Sequence, residues 1–134
     1  MLRRVLLVDD DLSVLLSLKA VLELHQFEVQ TAVSVSEAER KLAAGVFELV
    51  VTDVRMEQEA SGVEVIRLAA RQAYRPATAV LTAYLPNHEQ WKQEPVDAIL
   101  VKPMETRELV QQFETLLSRR GEHHPPHPDS ASGR

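Results

Sequence analysis

Val5-Leu6-Leu7-Val8-Asp9-Asp10-Asp11-Leu12 sets an unbroken apolar run directly against three acids, and this junction decides the reading of the fold. A run that is apolar at every position has no wet face. It therefore reads as a strand covered on both sides, as in the middle of a parallel sheet. Leu49–Val51, Ala77–Leu81 and Ile99–Val101 repeat the pattern. Phe27-Glu28-Val29-Gln30-Thr31 alternates instead and reads as an edge strand with one wetter face.

Between these runs lie amphipathic stretches. Leu12–Leu24 carries Leu15, Leu18 and Leu22 at helical spacing, without glycine or proline. Ser36-Glu37-Ala38-Glu39 reads as a cap and acidic first turn, opening a helix that closes at Gly45. A third helix is expected from just after Gly62 to about Tyr74. Another is expected from Glu105 to Arg119, with Leu109, Phe113, Leu116 and Leu117 as its apolar stripe. The segment Leu85–Pro95 has only Leu85 and Trp91 as large apolar residues and two bounding prolines, so its helix is weak or shortened. Strands alternating with helices predict an α/β fold, a doubly wound sheet of five parallel strands whose ligands bind at the carboxyl ends of the strands.

Composition narrows the function. The chain has 134 residues, 45% of them apolar, enough for one domain with its own core. Residues 1–120 read as that domain. The stretch from Gly121 to Arg134, with Glu122-His123-His124-Pro125-Pro126-His127-Pro128, reads as a disordered tail or linker in preference to a histidine metal site. Absence of cysteine removes thiolate zinc sites and thiol catalysis, and the expected compartment is the cytoplasm. A net charge of −5 without a basic patch argues against direct nucleic-acid binding, and no apolar run approaches the roughly 20 residues of a membrane span.

Asp9, Asp10 and Asp11 follow the first strand and Asp53 follows the third, so the topology brings the acids to one rim. Crowded carboxylates repel unless a proton or cation compensates, and an oxygen-only donor set suits Mg2+. Thr82 and Lys102, at the ends of the fourth and fifth strands, add a hydroxyl and an ammonium. Acids, metal, hydroxyl and cation together can stabilise a phosphoryl group, and a carboxylate is a competent nucleophile toward it. Asp53 is the best placed for that role, while Asp11 reads as a helix cap.

Leu6-Leu7-Val8-Asp9-Asp10, Thr52-Asp53-Val54-Arg55-Met56, Leu81-Thr82-Ala83 and Lys102-Pro103, in that order, resemble the receiver domain of bacterial two-component response regulators over about residues 3–119. The resemblance implies a flavodoxin-like fold with strand order 2-1-3-4-5. It implies that Asp53 is phosphorylated by a histidine kinase or phosphotransfer protein, with Mg2+ held by Asp10, Asp53 and the backbone carbonyl of Arg55. Asp9 would act through a metal-bound water, and Thr82 and Lys102 would contact the phosphoryl group. Arg55 and Tyr84 fall at positions that modulate its hydrolysis. The module would be a regulatory phosphoacceptor, with only self-limiting transfer and autodephosphorylation. It would signal to a downstream protein by protein contacts, with a homodimer as one possible state.

The sequence departs from the family at several points. Ile99 stands where a tyrosine or phenylalanine usually switches position, and Thr82 and Lys102 are only 20 positions apart. Glu57 follows Met56 where proline is common. Two other readings compete. One is a degenerate receiver that binds partners constitutively. The other is a small Mg2+-dependent phosphatase, whose second acid would fall where Arg55 stands.

Overall fold

In the computed structural model, residues 2–54, 61–83, 91–102 and 104–123 are described, the last three by their backbone course alone. The strands are β1 (Arg3–Val8), β2 (Phe27–Ala32), β3 (Leu49–Thr52), β4 (Ala77–Thr82) and β5 (Ala98–Val101). The helices are α1 (Leu12–Leu24), α2 (Val35–Ala44), α3 (Ser61–Ala70) and α4 (Thr106–His123). All strand pairs are parallel and the sheet order is β2-β1-β3-β4-β5, so the doubly wound expectation holds.

The two-residue period of the strands divides the core. Val5, Leu7, Leu49, Val51, Ala79 and Leu81 face one side, where α1 brings Leu15 and Leu22 and α4 brings Leu109, Phe113 and Leu116. Leu6, Val8 and Val50 face the other, against Ala38 and Leu42 of α2 and Val65 and Ala69 of α3. Unbroken apolar runs thus feed both layers. Burial of each such side chain stabilises the fold by about 1.5–3 kcal/mol before ordering entropy is set against it.

The boundaries differ in instructive ways. Helix α2 is capped by Ser34, whose Oγ accepts from Glu37 N at 3.1 Å, while the Glu37 carboxylate accepts from Val33 N at 2.7 Å. Ser36 lies inside the helix and is not the cap. Helix α3 ends at Ala70, short of Tyr74. The chain turns through Arg75 at φ 47°, and the Tyr74 hydroxyl donates to Leu42 O across to α2. β5, although apolar throughout, is the second edge strand, and Val101 is half exposed. Helix α4 continues to His123, three residues into the segment expected to be a tail. Residues 124–134 and most of the weak helical segment, 84–90, lie outside the described residues.

Candidate functional site

The hydrogen-bond ladder does not stop where the strands stop. Asp9 N donates to Ala32 O (3.1 Å), Asp53 N to Val8 O (3.1 Å) and Lys102 N to Thr82 O (2.8 Å). Each residue is therefore fixed by its own amide to a neighbouring strand, and its side chain leaves from a frame as rigid as the sheet. Asp9, Asp53 and Lys102 line one narrow cleft of about 10 Å³, together with Leu7, Val51, Thr52 and Leu81.

Asp9 is buried, at 6% exposure. Burial pushes its carboxyl above the usual carboxylate range, and the charges of Asp53 and Asp10 push it further. The Asp11 N–H, donated to Asp9 Oδ1 at 3.0 Å, and the Lys102 ammonium oppose that rise. Asp10 is exposed beside it. Asp11 turns away and caps α1, accepting from Ser13 N (3.0 Å), Val14 N (3.4 Å) and Ser13 Oγ (2.7 Å), and these bonds, the Ser13 hydroxyl foremost, lower its carboxyl. Of the four acids, Asp9 and Asp53 therefore meet in the cleft, and Asp10 acts on Asp9 through its charge. Thr82 is buried at the end of β4. Ile99 is partly buried against a small cluster of Val54, Ile66, Val80 and Trp91. Arg55, Tyr84, Met56, Glu57 and Pro103 lie outside the described residues.

Three supports were not singled out from the sequence. The Thr52 hydroxyl donates to Asp53 O at 2.9 Å, and Val54 N donates to Asp53 Oδ1 at 2.7 Å, which orients the carboxylate. Gly62, the second residue of α3, sits so close that a Cβ there would lie 2.4 Å from Asp53 O and 2.7 Å from Val54 Cα. Its amide donates to Val54 O at 2.9 Å. A close helix–backbone approach of this kind gives no signal in hydrophobic periodicity.

Among the described residues no three His, Cys, Asp or Glu side chains gather into a ready-made metal cage. The donor chemistry nevertheless fits a hard cation. Mg2+ commonly takes one or two carboxylates and keeps several waters, and the mutual repulsion felt at Asp9 is what such an ion relieves.

The sequence from β1 into α4, residues 5–114, matches the family model of the response regulator receiver domain. The chain belongs to this family. Relatives of this receiver domain include the transcriptional regulatory protein PrrA of Mycobacterium tuberculosis and that of Mycobacterium bovis. Each is 37% identical over 120 residues, covering 88% of this chain and 51% of the relative. The chain spans about half the length of these curated relatives. Among solved structures, a CheY-like receiver domain protein from Methanospirillum hungatei superposes with a TM-score of 0.84 at 26% identity, covering 92% of this chain and 99% of that one. The response regulator TrrA from Thermotoga maritima, solved in complex with Mg2+-BeF, gives 0.77 at 29% identity, covering 86% and 99%. No helix among the described residues is long and apolar enough to cross a membrane.

The raised Asp9 carboxyl has a stability consequence for the receiver domain. Between the ordinary carboxylate value and the raised one, the folded state binds more protons than the unfolded state, so stability falls as pH rises through that window. At neutral pH the ionised group costs stability. Asp9→Asn, which keeps the acceptor for the Asp11 N–H, is expected to melt higher than the parent at pH 7 in chelator. The advantage should disappear below about pH 4, the ordinary value for Asp. Melting curves across pH check this, and a variant less stable than the parent at pH 7 would contradict it.

Proposed function

We propose that this receiver domain is the phosphoacceptor of a two-component system, taking a phosphoryl group on Asp53 from a histidine kinase or phosphotransfer protein. The observation that supports this best is the ladder extension that sets the Asp53 carboxylate, Asp9 and Lys102 in one cleft. An Asp53 carboxylate oxygen attacks phosphorus. The acyl P–O bond forms as the P–N bond of the donor phosphohistidine breaks, and the imidazole leaves with the bonding pair. Such transfers pass through a loose transition state with charge on the equatorial oxygens, so positioning and charge stabilisation supply most of the acceleration.

Asp10, Asp53 and the carbonyl of Arg55 would hold Mg2+, with Asp9 acting through a water. The ion's chemistry is charge neutralisation on the phosphoryl oxygens. Lys102 contributes a second positive charge at the same cleft and Thr82 a hydroxyl. By the family pattern Arg55 and Tyr84, which lie outside the described residues, would slow the attack of water on the phosphoryl group. Partners meet the module in the cytoplasm, and its output passes through protein contacts. A constitutive interaction module is the competing reading, favoured by Ile99 at the position that usually carries the aromatic switch.

One experiment separates the two. On incubation with a small acyl phosphate and Mg2+, the protein is expected to gain the mass of one phosphoryl group, mapped to the peptide containing Asp53. Excess chelator is expected to remove most of that yield, because the uncompensated acids repel the donor. No adduct would favour the constitutive module, and an undiminished one in chelator would remove the metal from the reading.

A further inference from the structure

We propose that Trp91 is a positioning residue for the Asp53 acceptor, acting through Val54. The inference rests on the reading of Asp53 as the acceptor. The sequence has a single tryptophan, and it is buried, at 4% exposure, although its neighbours Lys92 and Gln93 are exposed. It is the largest member of a cluster with Val54, Ile66 and Val80, against which Val63, Val96 and Ile99 pack. This cluster is separate from the two main layers of the core, and it includes the residue that directly follows the acceptor.

Val54 is the link. Its N–H donates to Asp53 Oδ1, so the orientation of the carboxylate follows the orientation of the amide that joins Asp53 to Val54. Gly62 packs closely against the carbonyl of that peptide, Asp53 O, with no room for a Cβ, and its amide donates to Val54 O of the next peptide. The other constraint is the Val54 side chain, held in the Trp91 cluster.

The segment that carries the indole is itself tied down. Glu94 N donates to Trp91 O at 3.1 Å, and the Glu94 carboxylate receives both Arg67 Nε (2.9 Å) and Arg67 Nη2 (2.7 Å) from α3. A few residues on, Asp97 N donates to Thr78 O at 3.0 Å, and the Asp97 carboxylate accepts from Thr78 N at 2.8 Å. Trp91 is thus held between α3 and the strands β4 and β5, in the cluster that carries both Val54 and Ile99. A change in charge and contacts at Asp53 reaches the indole through the cluster that Val54 and Trp91 share, and a loss of the indole lets the acceptor peptide relax.

The test uses the full chain and three measurements. Tryptophan emission of the parent is followed while beryllium fluoride and Mg2+ are added, with Asp53→Asn as control. Phosphorylation by a small acyl phosphate is followed by intact mass for the parent, Trp91→Phe and Trp91→Ala, separating kcat from KM for the donor. Far-UV circular dichroism reports folding. The expected result is an emission change in the parent that Asp53→Asn lacks. Trp91→Ala should lose roughly tenfold in kcat, a misplacement effect well under that of a full 1 Å displacement, with KM little changed. Trp91→Phe should recover most of the rate. Unchanged emission in a parent that mass shows to be phosphorylated would overturn the inference while leaving Asp53 as acceptor, as would a folded Trp91→Ala that reacts at the parental rate. If Trp91→Ala does not fold, the emission arm decides alone. Failure of the parent to form any adduct would remove the acceptor reading and this inference with it.

Discussion

Asp53→Asn is expected to abolish the phosphoryl adduct, a loss of roughly a thousandfold or more in rate, or about 4 kcal/mol of barrier. The substitution is nearly isosteric. The amide oxygen still accepts from Val54 N, and Asp53 N still has Val8 O as its partner, so the frame survives. What disappears is the anionic nucleophile, and neither nearby buried nor capping acid can replace it. Asp9 is buried and accepts the Asp11 N–H on Oδ1, and the Asp11 carboxylate is engaged by Ser13 and Val14. Removal of the Asp53 charge also removes one of the causes that raise Asp9. Intact-mass measurement after treatment with a small acyl phosphate and Mg2+ decides the matter. An adduct of parental yield in the variant would place the acceptor elsewhere.

Gly62→Val is expected to be the most damaging single change outside the core layers. Helix propensity alone would favour replacing a helical glycine, by up to about 1 kcal/mol for alanine, and less for a β-branched residue. Against that stands backbone. The new Cβ would lie 2.4 Å from Asp53 O and 2.7 Å from both Val54 Cα and Val54 O, and none of these atoms belongs to a flexible side chain that can step aside. Overpacking of this kind costs about 1–3 kcal/mol, and the two further methyl groups place valine at the upper end. The steric cost wins. Denaturant unfolding should show a loss of about 3 kcal/mol, with Gly62→Ala intermediate. Because the displaced peptide is the one that orients Asp53, phosphorylation of the folded fraction should fall as well. Parental stability in both variants would mean that α3 is free to retreat from the acceptor.

Much of this architecture was legible because its strongest signals are local. Val5–Val8, Leu49–Thr52 and Ala77–Thr82 are buried along their length, and an unbroken apolar run records that directly. Asp11 as a cap was readable from its place before the periodic stretch Leu12–Leu24. The same kind of signal was misassigned at α2. Ser34-Val35-Ser36-Glu37 carries the Ser-x-x-Glu spacing of a capping box, but the denser acids after Ser36 drew the boundary two residues late. The end of α3 was missed because nothing in Arg71–Tyr74 forbids a helix. Tertiary bonds, such as that from the Tyr74 hydroxyl to Leu42 O, decide there. Trp91 illustrates the larger limit. In sequence it is one ring in a poor helical segment, and only the fold brings it against Val80, Ile66 and Val54. At the site, the strand ends pointed to the acids and Lys102, but the supports contributed by Thr52, Val54 and Gly62 depend on backbone approaches that side-chain patterns do not record.

The ladder bonds that run one residue past each strand bear on how the site fluctuates. Asp53 N is held by Val8 O, so exposing this amide to solvent requires β3 to part from β1 in the middle of the sheet. Openings of central strands carry free energies near that of global unfolding, whereas loops open almost freely. The Asp53 amide therefore shares the exchange behaviour of the core and not that of the rim on which it stands. A partner that engages this surface meets an Asp53 whose position is set before the encounter, and whatever adapts on binding must be found elsewhere in the chain.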